Sequence, residues 1–196
     1  MTEQVEENDA RDDAPAVNDE GIQYNSFIEN NPYAKVVSIN NKKVVEITNI
    51  MFSGKRKIDW DSVEKYLKEY IGKAYTIDEN DEIIYIGTDF PDEYAHSKYS
   101  TKALGTIGKA KANASQAIPE LIKTATNIIF RENIEPKHSK NAQYGWYRCT
   151  IRFTLPTTND RGEINGKNMF QGRMIIRCDA DNKKYLYDII DIKKET

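Results

Sequence analysis

His138, one of two histidines in the chain, lies in the cationic stretch Lys137-His-Ser-Lys140, with Arg131 just before it and Arg148 and Arg152 just after. Such a set suits metal-independent cleavage of RNA. That reaction needs a base for the 2′-hydroxyl, cations for the phosphorane charge and an acid for the leaving oxygen. An imidazole titrates in the right range. His138 is the candidate base, Lys137 and Arg152 the candidate charge stabilisers, and Tyr147, Tyr187 or His96 the candidate second proton carriers. Arg131, Lys140, Arg148, Arg173 and Arg177 are candidate phosphate contacts, and Trp146 a candidate stacking platform for an unpaired base. The plainer alternative is an exposed loop histidine among solvated lysines.

Other chemistries are poorly supplied. Two histidines and two separated cysteines, Cys149 and Cys178, form no CxxC or HExxH pattern, so no metal is expected. Asp188 and Asp191 fall on opposite faces of a strand, which is poor for a shared ion. GxxxxGK[ST], GxGxxG and GxSxG are absent, and Gly105-Thr-Ile-Gly108 before Lys109 has the spacing of no phosphate cradle. No cofactor is expected. The cysteines read as reduced, buried thiols.

The elements that must position these residues are legible in outline. Val36–Ile39 and Val44–Ile47 flank Asn40-Asn-Lys-Lys43, a hairpin signal. Asp59 can cap a helix over Trp60–Ile71 that ends at Gly72. Ala74–Ile77 and Glu82–Ile86 suggest a second hairpin. The stretch from Gly87 to Ser100, with Pro91 and many polar residues, reads as a loop with at most a short helix. Helices are expected over Lys102–Ala117 and Pro119–Thr126, and Ile128–Phe130 is either a strand or the end of the second.

The clearest pattern follows. In Trp146–Leu155 the residues Tyr147, Cys149, Ile151, Phe153 and Leu155 share one face, and Arg148, Thr150, Arg152 and Thr154 the other. A long connection runs from Pro156 to Asn168. Phe170–Asp179 alternates again, and Tyr185–Ile192 gives a third strand after a tight turn. The expected fold is α+β, with an N-terminal hairpin and helices packed on a C-terminal antiparallel meander. If the two longer strands pair with apolar faces together, Arg148, Arg152, Arg173 and Arg177 share the open face. Asp179, Asp188 or Asp191 would then pair with them, or a polyanion would.

The net charge of −3 conceals an asymmetry. Residues 1–20 hold eight acids against Arg11 alone, which leaves the rest of the chain at +4. Between Ser97 and Phe153 ten lysines and arginines face three glutamates. This is either ordinary solvation or a polyanion surface shielded by the acidic tail. Residues 1–22 have almost no large apolar side chains and are expected to be disordered. No stretch has the composition of a signal peptide or membrane helix, so a cytoplasmic setting without a membrane partner is expected.

From about Tyr75 to Thr196 the chain resembles the third type of large polyvalent-protein-associated domain, found in proteins of conjugative elements and phages. The resemblance rests on Tyr85-Ile-Gly-Thr-Asp-Phe-Pro-Asp-Glu-Tyr94, Lys109-Ala-Lys-Ala-Asn-Ala114, Arg131-Glu-Asn133, Lys137–His138, Gly145-Trp-Tyr-Arg148, Arg152–Phe153, Leu155–Pro156, Met174-Ile-Ile-Arg177 and Tyr185 to Thr196. Members of that family often carry histidine where this chain has Cys178, so such a histidine role is absent here. The expected organisation is a disordered acidic tail over 1–22, an N-terminal α+β portion over 23–90 and the polyvalent-protein-associated domain over 91–196, or one domain over 23–196. The resemblance implies a mobile-element setting. By fold analogy with the barnase/EndoU/colicin/RelE-like nucleases, it implies an RNase-like module acting on RNA or tRNA. The alternative is a non-catalytic module that binds nucleic acid, a host defence protein or a cognate immunity protein.

Overall fold

A computed structural model describes residues 16–17, 23–26, 30–54, 57–134 and 142–196, the first two segments as backbone alone. The acidic tail therefore lies outside the described residues except for strand β1 (Ala16–Val17), which pairs with β2 (Gln23–Ser26).

The first hairpin forms as its sequence predicts, from β3 (Ala34–Ile39) and β4 (Lys42–Ile47). Asn40 and Asn41 take φ of 50° and 60°, the left-handed pair that a two-residue turn with the right twist requires. Helix α1 (Trp60–Leu67) starts at Asp59, whose carboxylate accepts from the Ser62 amide, and a short 3-10 turn carries it to Tyr70. β5 (Lys73–Thr76) and β6 (Ile83–Tyr85) make the second hairpin.

The stretch from Gly87 to Ser100 is more ordered than a loop. It holds α2 (Phe90–His96) and α3 (Lys98–Lys102). Pro91 sits in the first turn of α2, where a missing N–H costs nothing, and Phe90 and Tyr94 are buried one turn apart. Ser97 ends α2 and caps α3 by accepting from the Ser100 amide. α4 (Gly105–Ala114) and α5 (Ile118–Thr124) follow, and Ile128–Phe130 resolves as part of strand β7 (Thr126–Arg131).

The C-terminal meander consists of β8 (Gly145–Thr158), β9 (Ile164–Cys178) and β10 (Lys184–Glu195). The expected long connection after Pro156 is instead a ribbon, with Pro156 opposite Lys167 and a turn over 159–163. Asn159 ties that turn by accepting from the Arg161 and Glu163 amides. Pro156 lies beyond Thr154, the last β8 residue with a β4 partner among the described residues, so it stands where β8 has become an edge towards β4, a position at which proline is tolerated. Both faces of the ribbon are largely exposed, so no apolar alternation marks it in the sequence.

The architecture is α+β, with a mixed sheet. Strand order among the described residues is β1-β2-β5-β6-β10-β9-β8-β4-β3, and β7 pairs with β8. β4 and β6 flank the antiparallel meander in parallel to β8 and β10. Cys149, Ile151, Phe153, Phe170, Met174, Ile176 and Ile189 are buried in one core with residues of α1, α2, α4 and α5. Gly172 occupies the apolar face opposite Ile151, where a Cβ would meet Ile192 at 3.3 Å and Ile189 at 3.4 Å.

Candidate nucleic-acid interface

The register of β8 and β9 sets which side chains share the open face. Trp146 lies opposite Arg177, Arg148 opposite Ile175, Thr150 opposite Arg173 and Arg152 opposite Gln171. The four arginines therefore lie on one face, as the strand phase predicts. Their surroundings differ sharply.

Arg177 is locked. Its Nε and Nη2 donate to Asp89 at 2.9 and 3.2 Å, and its guanidinium lies 4.1 Å from the Tyr185 ring centre. It fastens the start of α2 to β9, and a Cβ at Gly87 would crowd the clamp. Arg173 meets Asp191 at 3.1 Å with both side chains about half exposed. Arg152 donates to Gln171 at 2.9 Å and lies near Glu195. Arg148 is exposed and has no partner among the described residues. So is Arg131, which β7 places beside Trp146.

Arg131, Trp146 and Arg148 share a hollow of about 440 Å3 with Tyr187, Ile190 and Asp188. Trp146 and Tyr187 meet edge to face at 5.0 Å, and the Trp146 indole N–H reaches the Asn133 carboxamide at 3.4 Å. Burial first, then the Glu93 carboxylate, pushes the Tyr187 hydroxyl above the usual phenol range, so it stays protonated. Ile129 and Ile134 are exposed around the rim. Lys137, His138 and Lys140 lie outside the described residues.

Beneath Asp188 sits a pair that strand and helix periodicity does not reveal. The Lys111 ammonium, fully enclosed in α4, meets the Asp188 carboxylate at 2.6 Å. The rings of Tyr94 and Tyr99 flank it at 4.6 and 5.0 Å. Burial pushes the lysine down and the carboxyl up, and each partner opposes the shift of the other. Asp188 occupies a bulge in β10, where two residues face Ile175 of β9. The local signals were a lysine among alanines in Lys109-Ala-Lys-Ala-Asn-Ala114 and an acid inside an apolar run.

His96 lies elsewhere, against Glu64 at 2.9 Å and Asp61 at 3.5 Å. These three are a grouping of potential metal ligands, although Lys68 holds the other Glu64 oxygen at 2.8 Å. Both cysteines are free and buried, and burial pushes the Cys149 thiol up to about 12, which makes it a poor nucleophile. Tyr147 is half-buried against Phe130 at 5.2 Å on the core side. The described part of the interface can stack a base and hold phosphates.

Comparison with protein-family models, curated proteins and solved structures finds no match. No helix among the described residues is long and apolar enough to cross a membrane.

Proposed function

We propose that the open face of the meander binds single-stranded RNA, within an RNA-directed module of a mobile genetic element working in the cytoplasm. The carrying observation is the hollow: two arginines without acid partners among the described residues flank an aromatic pair. Arginine holds phosphate with a planar fork, and an indole face stacks any base. In this reading Arg131 and Arg148 hold the strand, and His138 and Lys137 keep the roles of base and charge stabiliser that the sequence assigns them. Arg152, assigned from sequence to the same reaction, serves phosphate binding further along β8. A second reading, a protein-binding module, draws on exposed Ile129, Phe130 and Ile134 at β7 and its end.

The test is incubation of the chain with total tRNA and with a single-stranded oligoribonucleotide, with and without chelator. Wild type should bind both, more weakly as salt rises. Trp146→Ala should lose about 1–3 kcal/mol of affinity. Cleavage should persist in chelator and vanish in His138→Ala. No binding at moderate salt sinks the proposal. Binding without cleavage, or equal cleavage by His138→Ala, removes the nuclease step and leaves a binding module.

A further inference from the structure

We infer that the crevice where β4 and β7 part on the edge of β8 is a second phosphate subsite, so that the ligand is a strand of about four nucleotides or more. The inference rests on the open face being an RNA surface. The edge of β8 changes partner at this point. Its first half pairs with β7 as far as Thr150 opposite Thr126, and β4 takes over at Phe153 opposite Val45. β7 runs antiparallel to β8 and β4 parallel, and both begin here. They splay and leave a crevice of about 500 Å3.

Four cations, Lys42, Lys43, Lys123 and Arg152, line the crevice with two acids, Asp78 and Glu79. Lys43 and Asp78 neutralise each other at 2.8 Å. Lys42 and Lys123 have no ion-pair partner among the described residues. The Arg152 guanidinium is already oriented by Gln171, yet its buried Nε makes no hydrogen bond and lies 3.5 Å from Glu195. Two unpaired lysines, with Arg152 held by Gln171 and Glu195 beside them, thus line the crevice opposite one carboxylate without an ion-pair partner. That balance favours an anion with several acceptor oxygens.

The crevice and the hollow are successive stations on one strand. Trp146 and Arg148 line the hollow, and Thr150 and Arg152, on the same face, line the crevice. At the rise of a β-strand, Trp146 and Arg152 are about 20 Å apart. A mononucleotide cannot span that distance, and a short single strand can.

The test uses the full chain and fluorescent 2′-fluoro oligouridylates of two and eight nucleotides, which lack the hydroxyl that cleavage would use. Affinity is read by anisotropy across a salt series. Wild type should bind the octamer about tenfold or more tightly than the dimer. Lys42→Ala/Lys123→Ala should erase most of that difference and flatten the slope of log affinity against log salt by about 1.4. Neither lysine lines the hollow, so dimer binding should hold. An octamer affinity and salt slope unchanged in the double variant overturn the second subsite and leave the hollow intact. A wild type that binds neither probe overturns both.

Discussion

Two regions of the meander handle charge in opposite ways. Where α4 meets β10, Lys111 and Asp188 are enclosed and matched one to one. In the solvent-facing part of the open face, Arg173 and Asp191 stay half exposed, and Arg131 and Arg148 form no ion pair among the described residues, although Glu132 and Asp188 line the same hollow. An enclosed charge must be matched, because water cannot reach it. A solvated arginine needs no partner to be tolerated, so its sign remains available to a ligand. Enclosed charge, at Lys111–Asp188 and at the clamped Arg177, is thus a matter of folding, and charge left in solvent a matter of binding.

The sharpest way to break that division is Lys111→Ala. It leaves the Asp188 carboxylate buried without its cation and should cost about 3–5 kcal/mol in urea unfolding. Lys111→Met with Asp188→Leu removes both charges and should recover most of the loss. Arg148→Ala, by contrast, should change stability by less than about 0.5 kcal/mol. Equal effects of Lys111→Ala and Arg148→Ala would show that enclosed and solvated charge do not differ in this way.

That division was only partly legible in the sequence. The phase of Tyr147 to Leu155 against Arg148 to Thr154 identified the open face, because alternation in a half-buried strand follows from backbone geometry alone. The hairpin at Asn40–Asn41 was equally plain, since the turn selects those residues. What acids do to the arginines was not plain. Asp89 lies 88 residues before Arg177, and Asp188 lies 77 after Lys111. No periodicity within one element spans such separations. The bulge in β10 also breaks the strict alternation by which Asp188 and Asp191 would be assigned to faces. α2 was hidden by Pro91, which is a breaker in a helix interior and harmless in a first turn. Lys42 and Lys123 are unremarkable in sequence and converge only because β4 and β7 part from β8 at one place.

The covered face makes a second, smaller prediction through Cys149. Its thiol is pushed from an ordinary 9.0 up to about 12 by burial. In the unfolded chain the thiol ionises above about pH 9, while in the folded protein it keeps its proton until near pH 12. Between those values the unfolded state binds fewer protons, so stability falls as pH rises, by up to about 1.4 kcal/mol per pH unit. Buried Tyr70 and Tyr94, also pushed up by burial, add a fall of the same sign. The informative quantity is therefore the difference between wild type and Cys149→Ala, measured by urea unfolding from pH 8 to about 10.5. The variant should show the shallower decline. Parallel curves would mean that the thiol is not enclosed.

The smallest expected effect concerns the one meander arginine held by an acid across the open face at half exposure. Arg173 and Asp191 lie 3.1 Å apart. An exposed pair gains little from Coulomb attraction in water and loses side-chain freedom on forming. A double-mutant cycle with Arg173→Ala and Asp191→Ala should return a coupling of about 0.2–1 kcal/mol, shrinking as salt is added. The same acid also competes with any phosphate for Arg173. Asp191→Asn should leave stability nearly unchanged while strengthening single-strand binding severalfold at low salt, and the gain should disappear in Arg173→Ala/Asp191→Asn. A coupling of several kcal/mol would place Arg173 with Arg177, among the arginines that hold the fold. A gain that survives loss of Arg173 would mean that Asp191 repels the strand directly and that its partner never reaches it.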